Sequence, residues 1–111
     1  ACYILFDYYR QKKNFRRIAD MLSHENRNVR GASCSRLAAG KDRIAQAERF
    51  LDILTGNMSD KSWYVRLTSG SCLEKYAALG TKEHNAVADR IGKIAMLKNK
   101  ELQELRAVLK I

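Results

Sequence analysis

The chain has 111 residues, enough for one domain with a workable core; 46% are apolar, none is proline and six are glycine, which excludes a disordered tail and speaks against a turn-rich β fold. No apolar run approaches the roughly 20 residues of a membrane span. Three widely spaced cysteines, Cys2, Cys34 and Cys72, form no disulfide framework, so we expect buried structural thiols in a reducing, intracellular compartment, cytoplasmic or nuclear. A formal charge of +9 points to an acidic partner, protein or nucleic acid, with no membrane partner expected.

In chain order, apolar spacing and polar punctuation predict helices over 2–10, 12–22, 27–39, 41–57, 62–79, 82–97 and 101–111. The first, "CYILFDYYR", is too short and too soon interrupted by Asp7 to be a secretory signal. The chain opens on it without Met and stops at Ile111 inside a helical pattern, so we read a segment of a longer chain, with 1–10 as the tail of a preceding helix that packs on a further repeat or another chain. Gly40 and Gly80 are expected to end helices in the left-handed conformation, and Ser62 and Thr81 to cap them. Ile44, Ala47, Leu51 and Leu54 share one helical face, as do Val65, Ser69, Cys72 and Tyr76.

The chain repeats itself. "SHENRNVRGASCSRL" at 23–37 returns as "SDKSWYVRLTSGSCL" at 59–73, an offset of 36 that pairs Ile18 with Leu54, Val29 with Val65, Arg30 with Arg66 and Leu37 with Leu73. A third copy at an offset of 40 pairs Leu51 with Ile91 and Arg66 with Arg106. Each unit is expected to be a helical hairpin, over about 11–40, 41–80 and 81–111, because a supersecondary unit that cannot bury its apolar face alone is stable when stacked. In each, the apolar residue three or so into the second helix anchors the hairpin. The arginine after it points about 100° round the helix, toward the neighbouring unit's turn.

Asp60, Val65 and Arg66, spaced D-x-x-x-x-V-R, resemble the turn and second-helix start of HEAT repeats, an armadillo-like family in which Asp and Arg form a ladder between units. The resemblance implies an all-α, right-handed α-solenoid of about three hairpins. The first copy carries His24, Val29 and Arg30 and the third Lys100, Leu105 and Arg106. Only the middle copy keeps the acid, so the ladder is expected to be incomplete.

Chemistry is sparse. HEAT-like deoxyhypusine hydroxylases hold iron through several His-Glu pairs, whereas this chain has His24-Glu25 in a turn and the reversed Glu83-His84. Two scattered histidines without converging carboxylates make no metal site, and no cofactor is expected. Arg66, Gly70, Leu73 and Tyr76 are similar to a helix of HEAT-like alkylpurine DNA glycosylases, but Ser71 stands where a Trp is expected, so the likeness implies a similar helix rather than the activity. There is no phosphate-binding glycine loop and no nucleophile elbow. We therefore expect no enzyme.

Two binding surfaces suggest themselves. Trp63, the sole tryptophan, starts a helix beside a turn, and "WYVR" is similar to the turns of tubulin-binding TOG domains, which present Trp and basic residues; Trp63, Arg66 and Arg30 are the candidate protein contacts. Arg10, Lys12, Lys13, Arg16 and Arg17, close to Tyr8, Tyr9 and Phe15, could with Arg36 and Lys75 form a phosphate-binding strip. The reading is a non-enzymatic scaffold for an acidic protein partner, with a nucleic-acid-binding module as the alternative.

Overall fold

A computed structural model of the protein describes residues 2–40, 42–94 and 99–111. Among these residues every regular element is helical: α1 (Cys2–Gln11), α2 (Phe15–Leu22), α3 (Arg27–Leu37), a 3-10 segment (Ile44–Phe50) leading into α4 (Leu51–Asn57), α5 (Trp63–Ala77), α6 (Thr81–Gly92) and α7 (Lys100–Leu109).

The elements follow the expected order, with boundaries set by local chemistry. The second helix starts at Phe15 rather than 12, because Lys13 is left-handed (φ 54°) and the Asn14 side chain caps the helix by accepting from the Arg17 N–H at 3.3 Å. Asn26 and Asn99 cap α3 and α7 in the same way. Ser62 caps α5 as expected, but Thr81 is the first residue of α6, with Gly80 before it in extended rather than left-handed backbone (φ 172°). Gly40 does take the left-handed conformation (φ 91°). The helix expected over 41–57 is split, since Ile44, Ala47 and Phe50 are all buried and a three-residue period aligns them on one line, as a 3-10 helix does. The expected helix 82–97 is seen to Gly92, and residues 95–97 lie outside the described part.

Helix α3 packs against α1, α2 and α5, and α5 packs in turn against α4, α6 and α7; α4 touches both α2 and α6. Contacts at both ends show that α1, α3, α5 and α7 run in one direction. Arg10 near the end of α1 meets the last carbonyls of α3, and the first turns of α3 and α5 reach the residues that open α5 and α7. The molecule is 18 Å across its shortest axis, about two helices thick.

The core lies between these elements. Phe6, Ile18, Leu22, Leu37, Leu54, Met58, Leu73 and Ile91 are fully buried, each stabilising the fold by about 1.5–3 kcal/mol relative to exposure. Both four-residue faces read from the sequence, Ile44/Ala47/Leu51/Leu54 and Val65/Ser69/Cys72/Tyr76, are buried. Helix α5 is central and buries residues on several sides, so it carries small ones, Ser69, Gly70 and Cys72, where neighbours come close. The closest approach is at Gly31, where a Cβ would lie 2.3 Å from the Tyr64 ring. The buried Asn57 amide donates to the Leu22 carbonyl at 3.0 Å, tying the end of α4 to the end of α2.

Candidate functional site

In the first turns of α3 and α5 the repeated arginine does two things, whereas Arg106, the third copy, lies in the last turn of α7. Arg30 donates from Nε and Nη2 to both carboxylate oxygens of Asp60, at 2.8 and 3.0 Å, and from Nη1 to the His24 and Glu25 carbonyls of its own turn. Arg66 repeats the pattern one hairpin on, with Nε 2.6 Å from Glu101 and Nη1 donating to the Asp60 and Lys61 carbonyls. Arg106 donates to the Ile91 carbonyl at 3.2 Å. The expected gap in the ladder is therefore filled: position 100 is Lys, but Glu101, one residue further and in the first turn of α7, supplies the carboxylate. An ion pair thus links α3 to the residues before α5, and another links α5 to the first turn of α7.

These pairs are partly shielded, with side-chain exposures of 18% for Arg30 and 12% for Asp60. Burial pushes the Asp60 carboxyl upward. The Arg30 hydrogen bonds, the Ser62 N–H and the charges of Arg30 and Arg66 more than offset it and hold the group below the usual carboxylate range. Arg30 and Arg66, expected among the protein contacts, are thus occupied in joining hairpins.

The basic strip is divided in the same manner. Arg10 is 5% exposed. Its Nε donates to Gln46 at 2.6 Å, and its terminal nitrogens donate to the carbonyls of Arg36, Leu37 and Arg43 at 3.0–3.1 Å. It closes the C-terminal end of α3, where free carbonyls and the helix dipole favour a cation, so its expected place on an open strip is corrected to an interior one. Arg36 grips Asp7 with two bonds, at 2.9 and 2.6 Å, and lies over the Tyr3 ring; the Arg36 hydrogen bond is the main reason the Asp7 carboxyl sits below its ordinary range. Lys12, Lys13, Arg16 and Arg17 are exposed about the α1–α2 turn, and Lys75 is exposed near the end of α5.

Trp63 is 63% exposed at the first position of α5, its ring edge-on to Tyr64 with centroids 6.2 Å apart. A surface hollow of about 400 Å³ beside it is bordered by Arg27, Asn28, Lys61, Ser62 and Tyr64, where α3 and α5 both begin. Neither helix has an acidic residue in its first turn, so Arg27, Lys61 and the helix dipoles leave this edge positive around an exposed indole. The sequence reading singled out Trp63 and missed Arg27, Lys61 and Tyr64. The offset of 36 could have found one of them, since it sets Arg27 of the first turn against Trp63 of the second.

The thiols are structural in placement. Cys34 and Cys72 are fully buried, and Cys2 is half-buried. Burial pushes the Cys72 thiol up to about 12 and raises that of Cys34 as well, although Ser69 and Asn57 bond its sulfur. Among the described residues no group of three or more His, Cys, Asp or Glu side chains converges as metal ligands, and no helix is long and apolar enough to cross a membrane. His24 lies in an exposed turn, where its Nδ1 accepts from the Asn26 N–H, and His84 Nε2 sits 3.0 Å from the Leu109 carbonyl. Of the four residues shared with the glycosylase helix, Gly70, Leu73 and Tyr76 are buried and Arg66 is paired.

In comparisons with known proteins, no family model matches the chain, and neither a curated protein nor a solved structure matches it.

Proposed function

We propose that the chain is a HEAT-like, right-handed α-solenoid scaffold without catalytic activity that binds an acidic segment of a protein partner along the edge centred on Trp63. The observation that carries the binding reading is the exposed indole beside Arg27 and Lys61 at the start of two helices. An amphipathic ring supplies contact area with little conformational entropy to lose, and positive surroundings steer an acidic partner toward it. The scaffold reading is supported by the sequence repeat, the shared direction of α3, α5 and α7, and the arginine pairs that join successive hairpins.

The test is the fluorescence anisotropy of a labelled, short Glu-rich peptide containing one Leu, titrated with the full chain. Saturable binding weakened about thirtyfold by Trp63→Ala is expected of a residue at the centre of a contact. Equal binding by the variant would overturn the site.

The competing reading, a basic module that binds nucleic acid, draws on Lys12, Lys13, Arg16 and Arg17, which are exposed together at the α1–α2 turn. Labelled single- and double-stranded oligonucleotides across a salt series discriminate. A logarithmic slope steepening by about 0.9 per duplex phosphate neutralised, lost when those four residues become Gln, would replace the scaffold reading.

A further inference from the structure

The far end of α3 from Trp63, about 15 Å away along the helix, holds three arginines close together. Arg10, Arg36 and Arg43 border a hollow of about 280 Å³, and Arg10 and Arg43 also border an adjoining one of about 420 Å³ with Asp7, Gln11 and Gln46. Arginines repel, so a cluster needs compensating charge. Asp7 is the one carboxylate lining these hollows, and both its oxygens are taken by Arg36. The buried Arg10 guanidinium rests on carbonyls and the Gln46 amide, without a carboxylate of its own. The exposed Arg43 forms no ion pair among the described residues.

Three arginines against one aspartate leave two positive charges in excess around the hollows. Donors remain as well. Among the described residues Arg10 Nη1 makes one hydrogen bond with its two hydrogens, Arg36 Nη1 makes none, and no side-chain donation by Arg43 occupies its guanidinium. We propose that this cluster is a binding site for a phosphate dianion, free or as a phosphomonoester, held by uncommitted N–H groups of Arg10, Arg36 and Arg43. A dianion matches the charge excess, and planar guanidinium groups suit oxygens arranged as in phosphate. Burial and the neighbouring Arg43 charge both act against the protonated Arg10, and a bound anion would relieve that repulsion. The site is independent of the Trp63 edge.

The experiment is thermal unfolding and isothermal titration of the full chain with inorganic phosphate and, in a second arm, phenyl phosphate, each against chloride at equal ionic strength. A saturable rise in Tm with measurable binding heat is expected, and Arg43→Gln should weaken binding about tenfold or more, the loss of a charge-assisted contact. Because Arg43 is exposed and its backbone carbonyl, which accepts from Arg10, is untouched, this variant remains folded; Lys82→Gln, at an exposed position in α6 that alters net charge equally, should bind as the parent does. Binding of both anions fits any phosphate carrier, and binding of phenyl phosphate alone narrows the ligand to a monoester. No saturable response, or equal weakening by Lys82→Gln, would overturn the proposal.

Discussion

Replacing Asp60 with Ala separates a shielded ion pair from a decorative one. The substitution removes two charge-assisted bonds from Arg30 and one from the Ser62 N–H. It leaves an arginine whose side chain is only 18% exposed without its counter-ion. Charge-assisted hydrogen bonds contribute about 1.5–3 kcal/mol and a lost turn-closing bond about 1 kcal/mol; allowing for remaining solvent contact, the loss should be about 2–4 kcal/mol. With an unfolding entropy of about 2.1 cal/mol/K per residue, the whole chain has about 0.23 kcal/mol/K, so Tm should fall by about 9–17 °C. Asp52→Ala is the control. It breaks the Arg90 pair at a similar distance, 2.9 Å, but Asp52 is 91% exposed, and Tm should fall by less than about 4 °C. Circular dichroism at the helical band measures both, and Arg30→Met with the double variant completes a cycle whose coupling should reach about 1 kcal/mol. If Asp60→Ala were no more harmful than Asp52→Ala, the junction pairs would not hold the hairpins together.

Gly31→Ala should destabilise by about 1–3 kcal/mol in urea unfolding, because its Cβ meets the Tyr64 ring; Gly56→Ala in α4, where a Cβ meets nothing within 4 Å, should stabilise by about 0.4–1 kcal/mol. A thiol-reactive chromophore at about pH 8 should find one fast thiol, Cys2, and two slow ones, since Cys34 and Cys72 are buried, burial raises both, and Cys72, near 12, is thiolate to about one part in ten thousand; denaturant should release all three, and simultaneous native reaction would contradict the burial of Cys34 and Cys72. Asp7 and Asp60 are both held below their unfolded value of about 3.9, so their stabilisation is full above that pH and is lost as pH falls through their lower folded values. The urea midpoint of Asp60→Asn should accordingly fall less than the parent's between about pH 5 and pH 2.

The order of the helices and the core faces were legible because they depend on periodicity, which a sequence states directly. Arg66 was also expected to reach toward the next turn, and it does. Its partner Glu101 was missed because the repeat register points to Lys100, and one step round the opening turn of α7 was enough to replace it. Arg10 was misplaced for a different reason: its partners are backbone carbonyls at the end of another helix, which have no sequence signature, whereas a run of basic residues reads as a solvated surface. The 3-10 segment was read as α-helix because spacings of three fit both geometries until burial of Ile44, Ala47 and Phe50 distinguishes them. Around Trp63 the sequence offered the ring, while Arg27 comes from a different hairpin and joins it only through the α3–α5 packing.

Arg30 and Arg66 each hold two separate things with one guanidinium: the carbonyls that close their own turn and the acid at the start of the next parallel helix, α5 or α7. Loosening a turn therefore weakens the grip on its neighbour, and removing a neighbour loosens the turn. Fraying of these turns and loss of the α3–α5 and α5–α7 contacts then become a single cooperative event. Amide exchange at the turns around His24 and Asp60 should then follow global opening rather than run ahead of it.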